Sequence, residues 1–151
     1  MRILELSGHQ EFLETIIDWN LEEWPKPERN RKDVRARLFG EGIEDQLPVT
    51  LVVEEGSLPI GYSVMVLYEK GRPTGRLHWI DAVYVKPERR KTGLGSMLIK
   101  AAEKKASALG VLELFALTDI PEIYRKLGWS DVEMQEGSLS GHILSKKVSG
   151  L

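Results

Sequence analysis

Arg89, Arg90 and Lys91 stand directly before Gly93 and Gly95, where an alternating apolar run (Val83, Val85) gives way to one with helical spacing (Leu94, Met97, Leu98). A helix start gathers unpaired N–H groups and the positive end of the backbone dipole. Cations placed there should repel it, and three in a row make sense if an anion sits between. Glycines let backbone N–H groups close on such an anion. The stretch reads as a phosphate cradle, with a solvated basic turn as the alternative. A Walker A loop needs G-x-x-x-x-G-K-[ST], which is absent. A dinucleotide fingerprint needs a third small residue where this chain has Leu98. What remains is Arg90-Lys91-Thr92-Gly93-Leu94-Gly95, an R-x-x-G-x-G. A second chemical point lies upstream. Asp81 is a lone acid in the apolar run 79–85, and a carboxylate there is costly unless it is paired or faces a cleft.

Composition narrows the field. A chain of 151 residues is long enough for one domain with a real core, and 1–151 is read as a single domain. Its 42% hydrophobic and 29% charged content is ordinary for a globular protein. The net charge of −2 argues for neither nucleic acid nor an anionic membrane surface as partner. The absence of cysteine excludes disulfides, thiolate zinc sites and a cysteine nucleophile. His9, His78 and His142 lack metal-ligand spacing, so no metal is expected. No apolar run approaches the ~20 residues of a membrane span. The N-terminus is too short and too charged for a signal peptide. A cytoplasmic protein is the expectation.

Periodicity supplies the frame that must position these groups. A strand is expected over 2–6, followed by a helix through Phe12, Leu13, Ile16, Ile17 and Trp19 with Ser7 or Gly8 as its cap. Pro25 and Pro27 break that helix. A more polar helix over 28–39 is closed by Gly40 and Gly42. Strands at 46–54 and 59–68 form a hairpin, and a further strand spans 76–85. A long helix over 92–109 buries Leu94, Met97, Leu98, Ala101, Ala102, Ala108 and Leu109. It turns Lys100, Glu103, Lys104 and Lys105 to solvent. A strand at 111–117 completes a β-α-β unit and so runs parallel to 76–85. Pro121 opens a short helix that Gly128 ends. Segments 129–134 and 142–148 can pair across Glu136-Gly137-Ser138.

On the R-x-x-G-x-G run the sequence resembles the GNAT superfamily of acyl-CoA-dependent N-acetyltransferases, whose [QR]-x-x-G-x-[GA] loop holds the pyrophosphate of acetyl-CoA. A second motif agrees: Tyr124-Arg125-Lys126-Leu127-Gly128-Trp129 is similar to the family's Y-x-K-x-G-F segment, with Trp in place of Phe. The resemblance covers 76–135 closely; before that it is one of architecture. It implies an α/β (α+β) fold with a mixed, mostly antiparallel sheet of six to seven strands and about four helices. That sheet is splayed between the strands at 76–85 and 111–117, and acetyl-CoA lies in the gap.

The same resemblance assigns roles. Backbone N–H groups from Lys91 through Ser96, including Thr92, Gly93, Leu94 and Gly95, wrap the pyrophosphate, with Arg90 or Lys91 adding charge. Backbone groups of Val83, Tyr84 and Val85 pair with pantetheine and meet the thioester oxygen. Tyr124 occupies the general-acid position. A phenol of pKa ~10 is protonated at neutral pH and can donate to a leaving thiolate. Its alternative is an amphipathic ring packed on the short helix. Asp81 is the candidate base, with a water chain or a purely structural ion pair as alternatives. Many members place an Asn after the fifth strand; here Thr118 stands in as a hydrogen-bond partner or an ordinary capping residue.

Trp24 in its acidic loop (Asp18, Glu22, Glu23), together with Trp79 near Asp81, can favour a cationic, partly apolar amine. Core tryptophans beside a solvated acidic face are the alternative. In this fold the acceptor site is walled by the two N-terminal helices and the last hairpin, here 19–28 and 136–142. The implied activity is acetyl transfer to a small-molecule amine by direct attack. The competing readings are a lysine or N-terminal protein acetyltransferase, a non-catalytic acetyl-CoA sensor and a nucleotide-binding module. Homodimers are common in families of this kind.

Overall fold

A computed structural model describes residues 1–39, 47–71, 73–132 and 141–151. Strand β1 (Arg2–Glu5) leads through two short 3-10 turns to helix α1 (Leu13–Glu23), then α2 (Arg31–Phe39). Strands β2 (Val49–Glu55), β3 (Leu58–Tyr68) and β4 (Leu77–Val85) follow. Helix α3 (Leu94–Ala108), β5 (Glu113–Thr118), α4 (Pro121–Lys126), β6 (Ser130–Asp131) and β7 (His142–Lys147) complete the described chain. The strands form one sheet in the order β1-β2-β3-β4-β5-β7-β6. All neighbours pair antiparallel except β4 and β5, which run parallel across the α3 crossover as the β-α-β pattern requires. The expected mixed, mostly antiparallel sheet with four helices is the one observed.

Alternation along the strands divides the apolar residues between two faces. On one face Ile16, Ile17, Val34 and Leu38 of α1 and α2 pack on Val52, Tyr62, Val64, Trp79 and Phe115. On the other, Ile99, Ala102 and Ala106 of α3 and Tyr124 of α4 pack on Leu51, Met65, Ile80, Leu114 and Leu144. Each aliphatic side chain so buried contributes about 1.5–3 kcal/mol. Asn30 caps α2 by accepting the Asp33 N–H at 2.9 Å.

The alternation is broken at Ile60 on β3, opposite Val53 and Glu54, and again on β4, where it matters for the site. Val64 pairs with Ala82 and Met65 with Ile80, so Asp81 is an extra residue on β4, a β-bulge. Trp79, Ala82 and Tyr84 therefore share one face, although plain alternation would separate Trp79 from the other two. The parallel pairing of β4 with β5 covers His78 to Ile80 opposite Leu114 to Ala116 and goes no further. Beyond the bulge β4 runs on without β5 beside it. The sheet parts here, as expected of the strands at 76–85 and 111–117.

Elsewhere the structure corrects the sequence pattern. Helix α1 starts at Leu13 with no side-chain cap, because Ser7 and Gly8 belong to a 3-10 turn. On α3, Met97 is exposed while Ile99 and Ala106 are buried. Glu103, expected in solvent, is 4% exposed. Its carboxylate accepts from Trp129 Nε1 at 3.0 Å and from Lys146 Nζ at 2.7 Å, so it is buried because it is paired. Gly40, Gly42 and the turn at Glu136-Gly137-Ser138 lie outside the described residues.

Candidate active site

The glycine loop is shaped by two left-handed residues. Lys91 has φ +63° and Gly93, the residue before α3, has φ +86° and ψ 3°. No side chain caps α3, so its first N–H groups, those of Leu94, Gly95 and Ser96, are left for a ligand. A Cβ built on Gly93 would meet nothing within 4 Å, so the space above it is open; a Cβ on Gly95 would come within 3.2 Å of Ile123 Cδ1 on α4. One glycine keeps the approach clear and sets the turn; the other lets two helices pack. This arrangement fits a diphosphate held by backbone N–H groups.

The cations around the loop are largely engaged. Arg89 forms a two-pronged ion pair with Glu55, at 3.0 and 3.2 Å. Arg90 Nε donates to the Val85 carbonyl at 2.8 Å, and its guanidinium lies 5.4 Å from the centre of the Tyr84 ring. Its second partner, Glu23, is 3.5 Å away at the surface. The Thr92 hydroxyl donates to the Arg89 carbonyl at 2.5 Å and so braces the turn. Among the described residues Lys91 has no partner.

A cavity of about 740 Å³ occupies the gap between β4 and β5. It brings together every residue expected at the cofactor site except Thr92: Val83, Tyr84, Val85, Arg90, Lys91, Gly93, Leu94, Gly95, Ser96 and Thr118, with Tyr124. Tyr124 is 5% exposed and its ring meets Trp129 edge-on at 5.0 Å. Its hydroxyl has no hydrogen-bond partner among the described residues, and burial pushes its pKa above the ordinary phenol value. The proton is held firmly at neutral pH. Thr118 accepts the Ile120 N–H at 3.0 Å through its hydroxyl oxygen, which leaves the hydroxyl proton free to donate.

Asp81 sits at the bulge and lines this cavity and a second one. Its Oδ2 accepts from Arg37 Nε of α2 at 2.5 Å and its Oδ1 from Lys70 Nζ at 3.0 Å. Burial alone would push the carboxyl up; the hydrogen bond and charge of Arg37, with the charge of Lys70, outweigh it, and the pKa lies below the ordinary carboxylate value. Both oxygens are occupied and the group is less basic than usual, so the geometry favours the structural ion pair over the general base among the readings of Asp81. Trp79 lies away from both cavities. It is fully buried against Phe115 with its Nε1 on the Tyr68 carbonyl at 3.2 Å, and it lines neither cavity. Trp24 does line both.

The second cavity, about 770 Å³, lies on the α1 and α2 side of the bulge and shares Trp24, Asp81, Ala82 and Leu117 with the first. Asn20, Arg29, Arg37, Tyr68 and Lys70 also line it. Sequence alone does not mark them. They come from separate elements, and three of the five, Arg29, Arg37 and Lys70, are cations. The acidic loop does not serve this cavity: Asp18 pairs with Arg31 at 2.5 Å, Glu22 lines neither cavity, and Glu23 lies beside Arg90 on the cofactor side.

This fold is shared with solved acetyltransferase structures. The ribosomal-protein-alanine N-acetyltransferase from Brucella melitensis superposes with a TM-score of 0.76 at 16% identity, over 97% of this chain and 99% of that one. An aminoglycoside 6'-acetyltransferase type Ii gives 0.75 at 17% identity, over 98% and 97%. A PaiA N-acetyltransferase from Thermoplasma acidophilum, solved in complex with coenzyme A, gives 0.69 at 20% identity, over 97% and 99%. No curated protein matches the sequence. The acetyltransferase (GNAT) family model matches residues 13–129. The chain belongs to that family, and so to the acyltransferases. Among the described residues no helix is long and apolar enough to cross a membrane.

Proposed function

We propose that the chain transfers the acetyl group of acetyl-CoA to the nitrogen of a small primary amine, by direct attack with both substrates bound. One observation carries the reading: a single cavity is lined by the length of β4 that β5 leaves unpaired, the uncapped start of α3 behind Gly93, and Tyr124. Bound there, acetyl-CoA supplies an activated thioester carbonyl.

The chain's own groups do the rest. The N–H groups of Leu94, Gly95 and Ser96 hold the diphosphate, with Lys91 adding charge. The edge of β4 at Val83 to Val85 aligns the pantetheine arm and presents a donor to the carbonyl oxygen. Attack by the neutral amine forms the N–C bond and breaks the C–S bond. Tyr124 gives its proton to the departing sulfur and regains one from solvent as the nitrogen sheds its own. Starting from an ammonium, one proton is released overall. With Asp81 tied to Arg37 and Lys70, the ammonium proton leaves through water. The concave second cavity, with Trp24 and Tyr68 in its walls, suits a small acceptor better than a protein chain.

Calorimetric titration with acetyl-CoA, CoA and ATP tests the reading first, followed by thiol release with an amine panel. Binding of both CoA species without ATP, and turnover with at least one small amine, is the expected outcome. Binding of ATP in preference to CoA, or acetyl-CoA binding with no turnover on any amine, overturns it.

A further inference from the structure

The second cavity has a charge pattern opposite to the one its neighbouring acidic loop leads one to expect. Lys26, Arg29, Arg37 and Lys70 line it, against Asp33 and Asp81 among the described residues. That excess holds without Arg76, which lines the cavity as well. Asp81 balances one of Arg37 and Lys70 but not both, since a single carboxylate is shared between them. The guanidinium of Arg37 lies 4.7 Å from the centre of the Tyr68 ring, and Lys70 Nζ lies 5.4 Å from it, so two cations are gathered at one aromatic face.

Arg29 is the more informative residue. One terminal nitrogen donates to the Trp24 carbonyl at 2.7 Å and the other to Asn20 Oδ1. Both partners are neutral, so among the described residues the charge has no counter-ion. Asn20 is itself buried, and its Nδ2 donates to the hydroxyl of the fully buried Tyr62 at 2.8 Å. A polar chain thus runs from the apolar core to a guanidinium at the cavity wall. A buried amide is costly unless every bond is made. A solvated surface arginine needs no such anchor. The arrangement fixes a positive charge in the wall of the second cavity, beside Trp24, which both cavities share.

We propose, resting on the acetyl-transfer reading, that the acceptor is an amine that also carries an anionic group, a carboxylate or a phosphoryl group. Arg29 and Arg37 receive the anion while the amine nitrogen points past Ala82 to the thioester. A guanidinium matches either anion with paired N–H donors. Polycationic amines are disfavoured by the same charges.

The test uses matched acceptors with the acetyl-CoA-saturated protein: α-amino acids against their carboxamides, phosphoethanolamine against ethanolamine, and spermidine as the polycation. The anionic member of a pair should be preferred by about tenfold or more in kcat/KM, and the pair that shows it separates carboxylate from phosphoryl. Arg29→Gln should bring the ratio within that pair close to one, acting through KM. A neutral or polycationic amine used better than its anionic counterpart overturns the proposal, whatever happens to the variant. So does an Arg29→Gln protein that folds and slows both members equally, since that is the mark of a merely structural arginine. If acetyl-CoA binds but no amine is acetylated, the transfer reading fails on its own. The same pairs titrated into the CoA-loaded protein then decide the anion site: selective binding of the anionic member supports it, and no binding or binding of the polycation overturns it.

Discussion

The two cavities meet at the bulge but are built differently. The first cavity draws on short runs of consecutive residues, 80–85, 89–91, 93–96 and 117–120, and includes the uncapped start of α3. The second cavity is assembled from residues on separate elements, among them Asn20, Arg29, Arg37, Tyr68 and Lys70. Backbone N–H groups recognise a diphosphate through turn geometry and helix start, whatever side chains surround them. A wall of side chains recognises its ligand through the charge and shape that those side chains carry. On the proposed function, the difference puts cofactor recognition in main-chain geometry and acceptor recognition in side-chain chemistry.

The sharpest way to break this contrast is Gly93→Val. A branched residue at φ +86° costs about 1–2 kcal/mol in the backbone and fills the open approach to the α3 start. Acetyl-CoA affinity should fall on the order of a thousandfold, about 4 kcal/mol, by calorimetry. An unchanged affinity would remove backbone recognition from the site.

Asp81→Asn tests the other half. It leaves Arg37 and Lys70 without their carboxylate and should destabilise the fold by about 3 kcal/mol in denaturant titration. The folded carboxyl has a pKa below its ordinary value. Its stabilisation is therefore complete above the unfolded pKa of about 4 and is lost as pH falls through the lower folded one. The deficit of the variant should be constant above about pH 5 and shrink below about pH 4. A variant as stable as the parent but inactive would restore Asp81 as the base.

Tyr124→Phe asks whether any side chain on the backbone-lined side does chemistry. A loss of about a hundredfold in kcat is expected, with acetyl-CoA affinity nearly unchanged. Burial raises the phenol above its ordinary value of 10, so ionisation of Tyr124 should not depress kcat below about pH 10. Equal losses in kcat and affinity would make Tyr124 a packing residue.

How much of this was legible in the sequence follows the same divide. Gly93, Gly95 and the helix-period residues after them lie within a few positions of one another, and local periodicity displays them. The parallel pairing of β4 and β5 follows from the length of the crossover between them. The bulge at Asp81 leaves no local mark, because one extra residue on a strand is defined only by its partner, Val64 and Met65 on β3. Without it, Asp81 reads as an unpaired acid; with it, the carboxylate reaches Arg37, 44 residues away in the chain. Trp79 reads equally as a cavity or a core residue, because a large aromatic beside a lone acid looks the same in sequence either way. Glu103 reads as a solvent residue because its partners, Trp129 and Lys146, are distant in the chain.

The smallest effect is the most discriminating. Arg90 leads the glycine motif, and sequence alone invites the view that its charge holds the diphosphate. In the structure its Nε is bound to the Val85 carbonyl and its guanidinium covers the Tyr84 ring, with a long surface contact to Glu23. It acts as a clasp between the end of β4 and the loop rather than as a free cation. Arg90→Ala should therefore weaken acetyl-CoA binding by only about threefold to fivefold, the effect of a loosened loop and one distant charge. The dependence of affinity on salt should hardly change, since exposed charges are already largely screened. A hundredfold loss that high salt reproduces in the parent protein would instead put side-chain charge at the centre of the cofactor site. The contrast between a main-chain cavity and a side-chain cavity would then have to be abandoned.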